Sequence, residues 1–208
     1  MSAVSSPYGF KAVNLIGGLP YSGSTRNIPI ASAYGTNIYF GSLVYVASTG
    51  TLQIATSTGA DATTNGFPTG TANTGCVGVF VGCSYTNPST KQKVFAQYWP
   101  SGTVASDAMA IVVDDDRAVF QVQAAGSMTT ADVGANVYLN AVQSTSTGNT
   151  NTGNSNTAVN ATAVTTAAAF RVVGLVDMVG FSVAGDAFTD ILVKFNPGFH
   201  SYSSAVGL

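Results

Sequence analysis

The chain has 208 residues and a formal net charge of −2, with 46% hydrophobic residues but only 8% charged ones. This apolar fraction predicts a folded core, whereas the seven basic residues are too few and too scattered to form a nucleic-acid surface. No apolar run approaches the roughly 18 residues of a membrane helix, and residues 1–10 lack the basic and apolar regions of a secretory leader, so we expect neither a nucleic acid nor a membrane as partner.

The N-terminal segment, residues 1–30, differs in composition from the rest of the chain. Three prolines and the Gly17-Gly18 pair interrupt any long helix or central strand. The large side chains between them need a surface to lie on, and we treat them as candidate partner contacts: Tyr8, Phe10, Leu15, Ile16, Tyr21, Arg26 and Ile28. Two interpretations stay open. The segment is either an extended arm that docks on a partner and can be deleted without unfolding the rest, or an arm packed along its own domain.

Residues 31–208 have the pattern of an all-β domain. Runs of β-branched and aromatic residues bounded by Gly, Pro, Asn and Ser predict strands, and helix-capping signals are nearly absent because the chain has no Glu. The predicted strands are residues 37–47, 76–84, 93–99, 108–113, 118–124, 136–139, 170–178 and 189–195. The clearest pair is a predicted hairpin, in which 109–113 and 118–123 flank the polar turn 114–117.

Three short motifs recur in the same order. GSLVYV at 41–46 returns as GANVYL at 134–139, VGVFV at 77–81 returns as VGLVD at 173–177, and YWPSG at 98–102 is echoed by FNPG at 195–198, with offsets of 93, 96 and 97 residues. These motifs predict a β-barrel or β-sandwich built from two similar β units, about 31–112 and 118–200. Chance similarity between short strands is the alternative.

Two Ser/Thr/Asn-rich tracts cannot contribute much to a core. They cover residues 48–75 and 144–166, and each falls inside one predicted unit. We expect both tracts to form surface loops, and we expect the second one to be solvated or draped over a partner.

Residue types that carry catalysis or bind metals are sparse. His200 is the only histidine, and no hydrolase elbow, dinucleotide motif or P-loop occurs. The three adjacent carboxylates at 114–116 could offer oxygen ligands to Ca²⁺, but with Arg117 beside them they favour a turn. Cys76 and Cys83 would face opposite sides of one strand, which predicts reduced thiols. We therefore assign no catalytic residue, no metal ligand and no cofactor, and expect a protein that is not an enzyme.

Three runs of the sequence resemble the head decoration (cement) proteins of tailed bacteriophages. They are PYGFKAVNLIGGLPYSGSTRNIPIA at 7–31, TGCVGVFVGCSYT at 74–86 and ILVKFNPGFH at 191–200. The resemblance extends over most of the chain, but its strings are structural and give no residue a chemical role.

This resemblance implies a virion structural protein of the capsid exterior, made and folded in the host cytoplasm. It would bind the outer surface of the phage capsid and stabilise it by bridging subunits of the major capsid protein. Its other partner would be itself, as a homotrimer favoured by analogy or as a dimer. The alternative is a tail or fibre component that binds a host surface glycan through exposed aromatic rings. The candidate rings are Phe95, Tyr98, Trp99, Phe195, Phe199 and Tyr202, although the alternation along 94–99 also fits a sheet buried on both faces and favours a core role.

Overall fold

The structure is a computed structural model that describes residues 4–55, 75–140, 148–178 and 181–203. The regular secondary structure of those residues is nearly all β-strand, and its only helices are two short 3-10 helices at Thr130–Asp132 and Ser201–Ser203. The strands are β1 (Lys11–Leu15), β2 (Arg26–Pro29), β3 (Leu43–Val46), β4 (Leu52–Ile54), β5 (Gly78–Thr86), β6 (Lys93–Ala96), β7 (Met109–Val113), β8 (Ala118–Gln123), β9 (Asn136–Val137), β10 (Phe170–Leu175) and β11 (Asp190–Phe195).

The six-stranded sheet has the order β2-β7-β5-β3-β4, and β6 also pairs with β5. All its pairings are antiparallel. Successive side chains point to opposite faces, so Val79 belongs to one apolar cluster and Phe80 to another. The second cluster includes Ile38 and Trp99 from connecting segments. The central strands β3, β5 and β7 are therefore largely buried on both faces, which explains why they are predominantly apolar.

The five-stranded sheet has the order β1-β8-β11-β10-β9 and is also antiparallel. Its Phe120, Phe170 and Val193 share one core cluster with Leu43 and Val79 of the six-stranded sheet. The two sheets thus pack together around a common core, an architecture compatible with a β-sandwich. The predicted all-β fold is confirmed.

Each of the eight predicted strand regions contains a strand, but the predicted hairpin is wrong. β7 lies between β2 and β5, whereas β8 lies between β1 and β11 in the other sheet. The 114–117 turn carries the chain from one sheet to the other, and the Ala118 N–H donates to the Asp115 carbonyl across it at 3.1 Å. An apolar run, a polar turn and a second apolar run give the same pattern whether the two strands pair or separate.

The N-terminal segment provides an edge strand to each sheet, so an extended arm is not confirmed. β1 pairs with β8, and β2 pairs with β7. Phe10, the residue before β1, is fully buried and stacks on Phe170 at a ring-centroid distance of 4.9 Å. Pro29 is accommodated because β2 is an edge strand, where a missing N–H breaks no ladder on the open side.

The two sheets repeat the same order of strands. Taken in chain order, β2, β3, β5 and β7 correspond to β8, β9, β10 and β11. The six-stranded sheet contains the order β2-β7-β5-β3, and the five-stranded sheet contains the equivalent order β8-β11-β10-β9. A register shift occurs at the same place in both, before Gly82 in β5 and before Gly174 in β10. This common order is what a duplicated unit would produce, and the duplication itself stays a prediction.

The structural registers refine the sequence alignment. Leu43 of β3 pairs with Val79 of β5, and Asn136 of β9 pairs with Arg171 of β10. Leu43 and Asn136 are thus equivalent, and they are 93 residues apart, as in the first motif. The equivalent glycines of β5 and β10 are 92 residues apart, so the second motif is out of register by four residues. The third motif joins unlike places, because residues 98–102 follow β6 whereas Phe195 ends β11.

The second Ser/Thr/Asn-rich tract lies against its own domain where the structure describes it. Ser155, Thr157 and Val159 are fully buried, and Gln97 Nε2 donates to Asn154 Oδ1 at 2.7 Å. The expectation of a solvated or partner-draped loop is therefore wrong for these residues. Residues 56–74 and 141–147, which include most of the first tract, lie outside the described residues.

Candidate functional site

A pocket of about 280 Å³ lies where β8 ends and β11 begins in the five-stranded sheet. Three parts of the chain enclose it: the extended segment before β1, the turn that precedes β11, and the paired ends of β8 and β11. Its lining residues are Val4, Ser6, Tyr8, Gln123, Phe181, Ser182, Phe188 and Asp190.

Gln123 and Gly9 hold the N-terminal wall of this pocket in place. The Gln123 side-chain oxygen accepts a hydrogen bond from Ser6 N at 2.8 Å, and its nitrogen donates to the Val4 carbonyl at 3.2 Å. Gly9 then adopts a positive φ of 78° and lies so close to Gly41 that a Cβ would come within 2.8 Å of the Gly41 carbonyl oxygen. The extended segment directs every second side chain, at 4, 6 and 8, toward the pocket.

Asp190 is the charged group of the site and is only 2% exposed. Its Oδ2 accepts from Gln121 Nε2 at 3.3 Å, but Oδ1 has no hydrogen-bond partner in the protein. No Lys, Arg or His of the described chain lies within ion-pair distance of it. Burial raises the pKa of Asp190, and the nearby Tyr8 hydroxyl, the Gln121 side chain and the positive charge of Lys11 partly oppose that shift.

Tyr8 lies near Asp190 in the lining of the pocket and is the one predicted contact residue that the structure brings into it. Burial, followed by the negative charge of Asp190, raises the pKa of Tyr8 above its ordinary value. The two groups are close enough to influence each other's ionisation, yet neither the hydroxyl nor Oδ1 forms a hydrogen bond of acceptable geometry. The Lys11 ammonium lies over the Tyr8 ring, 4.2 Å from its centroid.

The entrance of the pocket is apolar. Val4 is 76% exposed and Phe181 59% exposed, and Met178 is as exposed as Phe181. The Phe181 N–H donates to the Met178 carbonyl at 3.0 Å, so these two side chains belong to one turn. The site therefore combines exposed hydrophobic surface with a buried acceptor, an arrangement suited to binding a molecule that has an apolar body and a hydrogen-bond donor at its end.

Phe10 and Ile28 were predicted partner contacts, and their assignment needs correction. Phe10 is fully buried and Ile28 is 6% exposed, each in one of the two apolar clusters of this chain. Their side chains complete the core of the domain and present no surface to a partner. The sequence could not separate the two roles because core and interface both favour large apolar residues.

The other predicted contacts lie at or near the surface. Leu15 and Tyr21 are partly buried against the shared core, and the Tyr21 hydroxyl donates to the Ser24 carbonyl. Arg26 forms an ion pair with Asp114, with Nε 2.7 Å from Oδ2, and lies over the ring of Tyr202. Arg26 is thus already engaged within its own chain.

Ile16 belongs to an exposed apolar turn at the end of β1, which we call the 16–19 turn. Leu15 N donates to the Leu19 carbonyl at 2.7 Å and so closes it, with Gly17 and Gly18 at positive φ between the two large residues. Ile16 is 43% and Leu19 66% exposed. Two such side chains on one turn form a surface that a partner could cover.

Cys76 and His200 lie on neighbouring segments but do not form an activated pair. Both are buried, and burial raises the pKa of the Cys76 thiol while it lowers the pKa of His200. A cysteine nucleophile needs the opposite ionisation, a thiolate beside a protonated imidazole. Cys76 and Cys83 are both free and belong to different apolar clusters, as predicted.

The carboxylates at 114–116 form a turn. Asp115 Oδ1 accepts from Arg117 N at 2.8 Å, and Asp114 is paired with Arg26. Among the residues that the structure describes, no group of three His, Cys, Asp or Glu side chains is arranged to hold a metal ion. The same part of the chain contains no helix with the length and apolarity needed to cross a membrane.

Sequence reasoning missed Asp190, Gln123, Phe181 and Phe188 as parts of a site. One signal was present, because Asp190 is a charged residue inside a predicted strand of apolar residues, 189–195. The remaining lining residues carry no such mark. No family model, curated protein or solved structure matches this chain.

Proposed function

We propose that this chain is a non-enzymatic virion structural protein, made and folded in the host cytoplasm, that binds the outer surface of a phage capsid. In that role it stabilises the shell by bridging subunits of the major capsid protein. The resemblance of residues 7–31, 74–86 and 191–200 to head decoration proteins motivates the proposal. The observation that carries it is the exposed apolar 16–19 turn, which lies within the first of these runs.

Binding through this turn follows from hydrophobic burial. Ile16 and Leu19 are held out on a closed turn, so covering them requires little ordering of the chain. Burying an Ile or Leu side chain fully contributes about 1.5 to 3 kcal/mol, and partly exposed residues contribute less. A weak contact of this size becomes effective when many identical copies bind one shell, and more so when each copy belongs to a closed oligomer. A homotrimer is favoured for that oligomer, with a dimer as the alternative.

The test is co-sedimentation of the purified protein with mature capsids of its own virus. We expect saturable binding that the pair of substitutions Ile16→Asp and Leu19→Asp weakens by about tenfold or more, because both charges would be desolvated at the interface. Val104→Asp is the matched control, since Val104 is 61% exposed and lies on the loop before β7. Normal binding by the double variant, or equal loss in the control, would reject the 16–19 turn as the contact. No binding by the wild type would reject the capsid function.

A glycan-binding tail or fibre component is the second candidate. It is favoured by Phe95, a residue that is 79% exposed on the edge strand β6. Trp99 and Tyr98 do not support it in the same way, because Trp99 is fully buried and Tyr98 stacks on Tyr39. Binding of the protein to host surface glycans that is lost in Phe95→Ala, together with no binding to capsids, would select this function.

A further inference from the structure

The pocket beside Asp190 has a specific chemical complement. Asp190 Oδ1 and the Tyr8 hydroxyl are both buried and lack a hydrogen-bond partner in the protein. Each can accept a hydrogen bond, and the carboxylate adds a negative charge that has no ion-pair partner in the described chain. A buried carboxylate is stabilised when an opposite charge and a donor reach it together. The complement is therefore a cationic hydrogen-bond donor.

The oxygen atoms of Asp190 decide which cation fits. Oδ2 already accepts from Gln121 Nε2, which leaves only Oδ1 unengaged. A guanidinium binds a carboxylate best through both oxygens at once, so it would have to displace Gln121. An ammonium is a compact charge with three donors that can be directed to separate acceptors, here Asp190 Oδ1 and the Tyr8 hydroxyl. The site suits an ammonium better than a guanidinium.

The walls of the pocket fit the stem that carries such a group. A lysine places its methylene groups along apolar surface while its ammonium reaches a polar environment. Val4, Phe181 and Phe188 supply that apolar surface between the entrance and Asp190. The volume of about 280 Å³ is just below the usual range for small-molecule pockets, which suits one side chain.

We propose that this pocket binds a lysine side chain presented by a partner protein. The ammonium contacts Asp190 and Tyr8, and the stem lies against Phe181 and Phe188. The inference rests on the proposed function, because the partner that presents the lysine is then a capsid subunit, and it adds a polar contact to the apolar one at the 16–19 turn. Lys11 of the same chain does not fill the pocket, since its ammonium lies over the Tyr8 ring and forms no ion pair with Asp190.

The first experiment is an NMR titration of the whole protein with Nα-acetyl-lysine methylamide. Two comparison compounds isolate the chemistry: the norleucine analogue keeps the stem without the charge, and the arginine analogue replaces ammonium by guanidinium. We expect shifts of the Gln123 and Phe181 resonances, and binding of the lysine compound that is about tenfold or more tighter than that of the norleucine compound. The arginine compound should bind more weakly than the lysine compound.

Three variants test the residues. Asp190→Asn should weaken lysine binding by about tenfold or more, because it removes the charge and keeps the shape. Asp116→Asn makes the same chemical change on the exposed turn between the sheets and should leave binding unaltered. Phe181→Ala should weaken binding of both the lysine and norleucine compounds, and its exposed position makes it a second test that does not depend on the core.

The proposal is overturned if the lysine and norleucine compounds bind equally, if no compound binds, or if Asp190→Asn binds lysine normally. Binding of monosaccharides in preference to lysine would overturn it and assign the pocket to a glycan. Capsid co-sedimentation separates this proposal from the proposed function. If the protein binds lysine but not capsids, the lysine pocket stands and the capsid function is rejected. If the protein binds capsids, Asp190→Asn leaves that binding unchanged and lysine does not bind, the capsid function stands and the lysine pocket is rejected.

Discussion

Among single residues, Asp190 has an environment that works against its charge. The carboxylate is almost fully buried and one of its oxygens has no partner, so the folded state disfavours the ionised form. Its pKa is raised from 3.8, which means that the folded chain binds more protons than the unfolded chain between that value and the raised one. The cost of the charge is therefore present in full above the raised pKa, decreases as the pH falls through it, and is absent below 3.8.

Asp190→Asn should accordingly stabilise the protein at neutral pH. We expect the free energy of unfolding to rise by on the order of 1 kcal/mol, because the amide removes a buried charge while it can still accept from Gln121. Urea denaturation at neutral pH measures this change, and the gain should diminish as the pH is lowered below the folded-state pKa of Asp190. Combined with lost lysine binding, a more stable variant would mark Asp190 as a residue of function whose retention lowers stability.

The control for this prediction is Asp116→Asn. Asp116 is exposed on the turn between the sheets, and its replacement should change the free energy of unfolding by less than about 0.5 kcal/mol. A destabilised Asp190→Asn protein would contradict the account, because it would mean that the ionised carboxylate makes favourable contacts that outweigh its burial.

Among elements, the N-terminal segment depends on close contact between two glycines. At Gly9, an added Cβ would meet the Gly41 carbonyl oxygen at 2.8 Å and Ser155 Cβ at 2.9 Å. The N–H of the next residue, Phe10, donates to the Gly41 carbonyl oxygen at 3.0 Å, and the Phe10 ring packs in the core against Phe170. The position of the pocket wall at residues 4–8 and the burial of Phe10 therefore share one point of attachment.

Gly9→Ala should destabilise the protein more than Gly17→Ala. Both glycines have positive φ, so both substitutions introduce backbone strain, but at Gly17 no atom lies within 4 Å of the added Cβ. We expect a loss of about 1 kcal/mol at Gly17 and of about 3 kcal/mol or more at Gly9, where backbone atoms must also move. Chemical denaturation of the two variants measures the difference. Equal losses would show that the segment is attached loosely and would revive the interpretation of a detachable arm.

The sequence predicted the strands better than it predicted their partners. All eight runs of β-branched and aromatic residues contain strands because each run is long enough to be recognised without its neighbours. Among the described residues three strands were missed, β1, β2 and β4. The first two lie among the prolines and glycines of the N-terminal segment, and β4 lies within the first Ser/Thr/Asn-rich tract. Edge strands tolerate such residues, and nothing local distinguishes an edge strand from an irregular arm.

The pocket could not be predicted because it depends on the pairing of distant segments. Tyr8 and Asp190 come together only after β1 has paired with β8 and β8 with β11. The burial of Phe10 has the same cause, since its partners Phe120 and Phe170 are more than a hundred residues away in sequence. Spacing along the chain gives no information about such contacts, whereas the register of three strands fixes them.

In the whole molecule, the two sheets repeat one order of strands but do not form two independent domains. The core cluster that contains Phe10 also contains Leu43 and Val79 of the six-stranded sheet and Phe120 and Val193 of the five-stranded sheet. The N-terminal segment strengthens this union, because it places β1 in one sheet and β2 in the other. Neither sheet would keep its buried face covered if the other unfolded.

The protein should therefore unfold in a single transition. Trp99 is the only tryptophan and lies in the second cluster of the six-stranded sheet, so its fluorescence follows that sheet. Amide resonances of β10 and β11 follow the other sheet. We expect the urea midpoints from the two probes to coincide, and Val113→Ala, which removes two methyl groups from the shared cluster at a cost of about 2 kcal/mol, to lower both midpoints equally. Val112→Ala is the comparison, because Val112 belongs to the second cluster, away from the five-stranded sheet. If the molecule is cooperative, this substitution must also lower the urea midpoints of both probes equally. Two separate midpoints, or a Val112→Ala effect confined to the Trp99 signal, would show that each sheet is stable alone and that the shared core does not couple them.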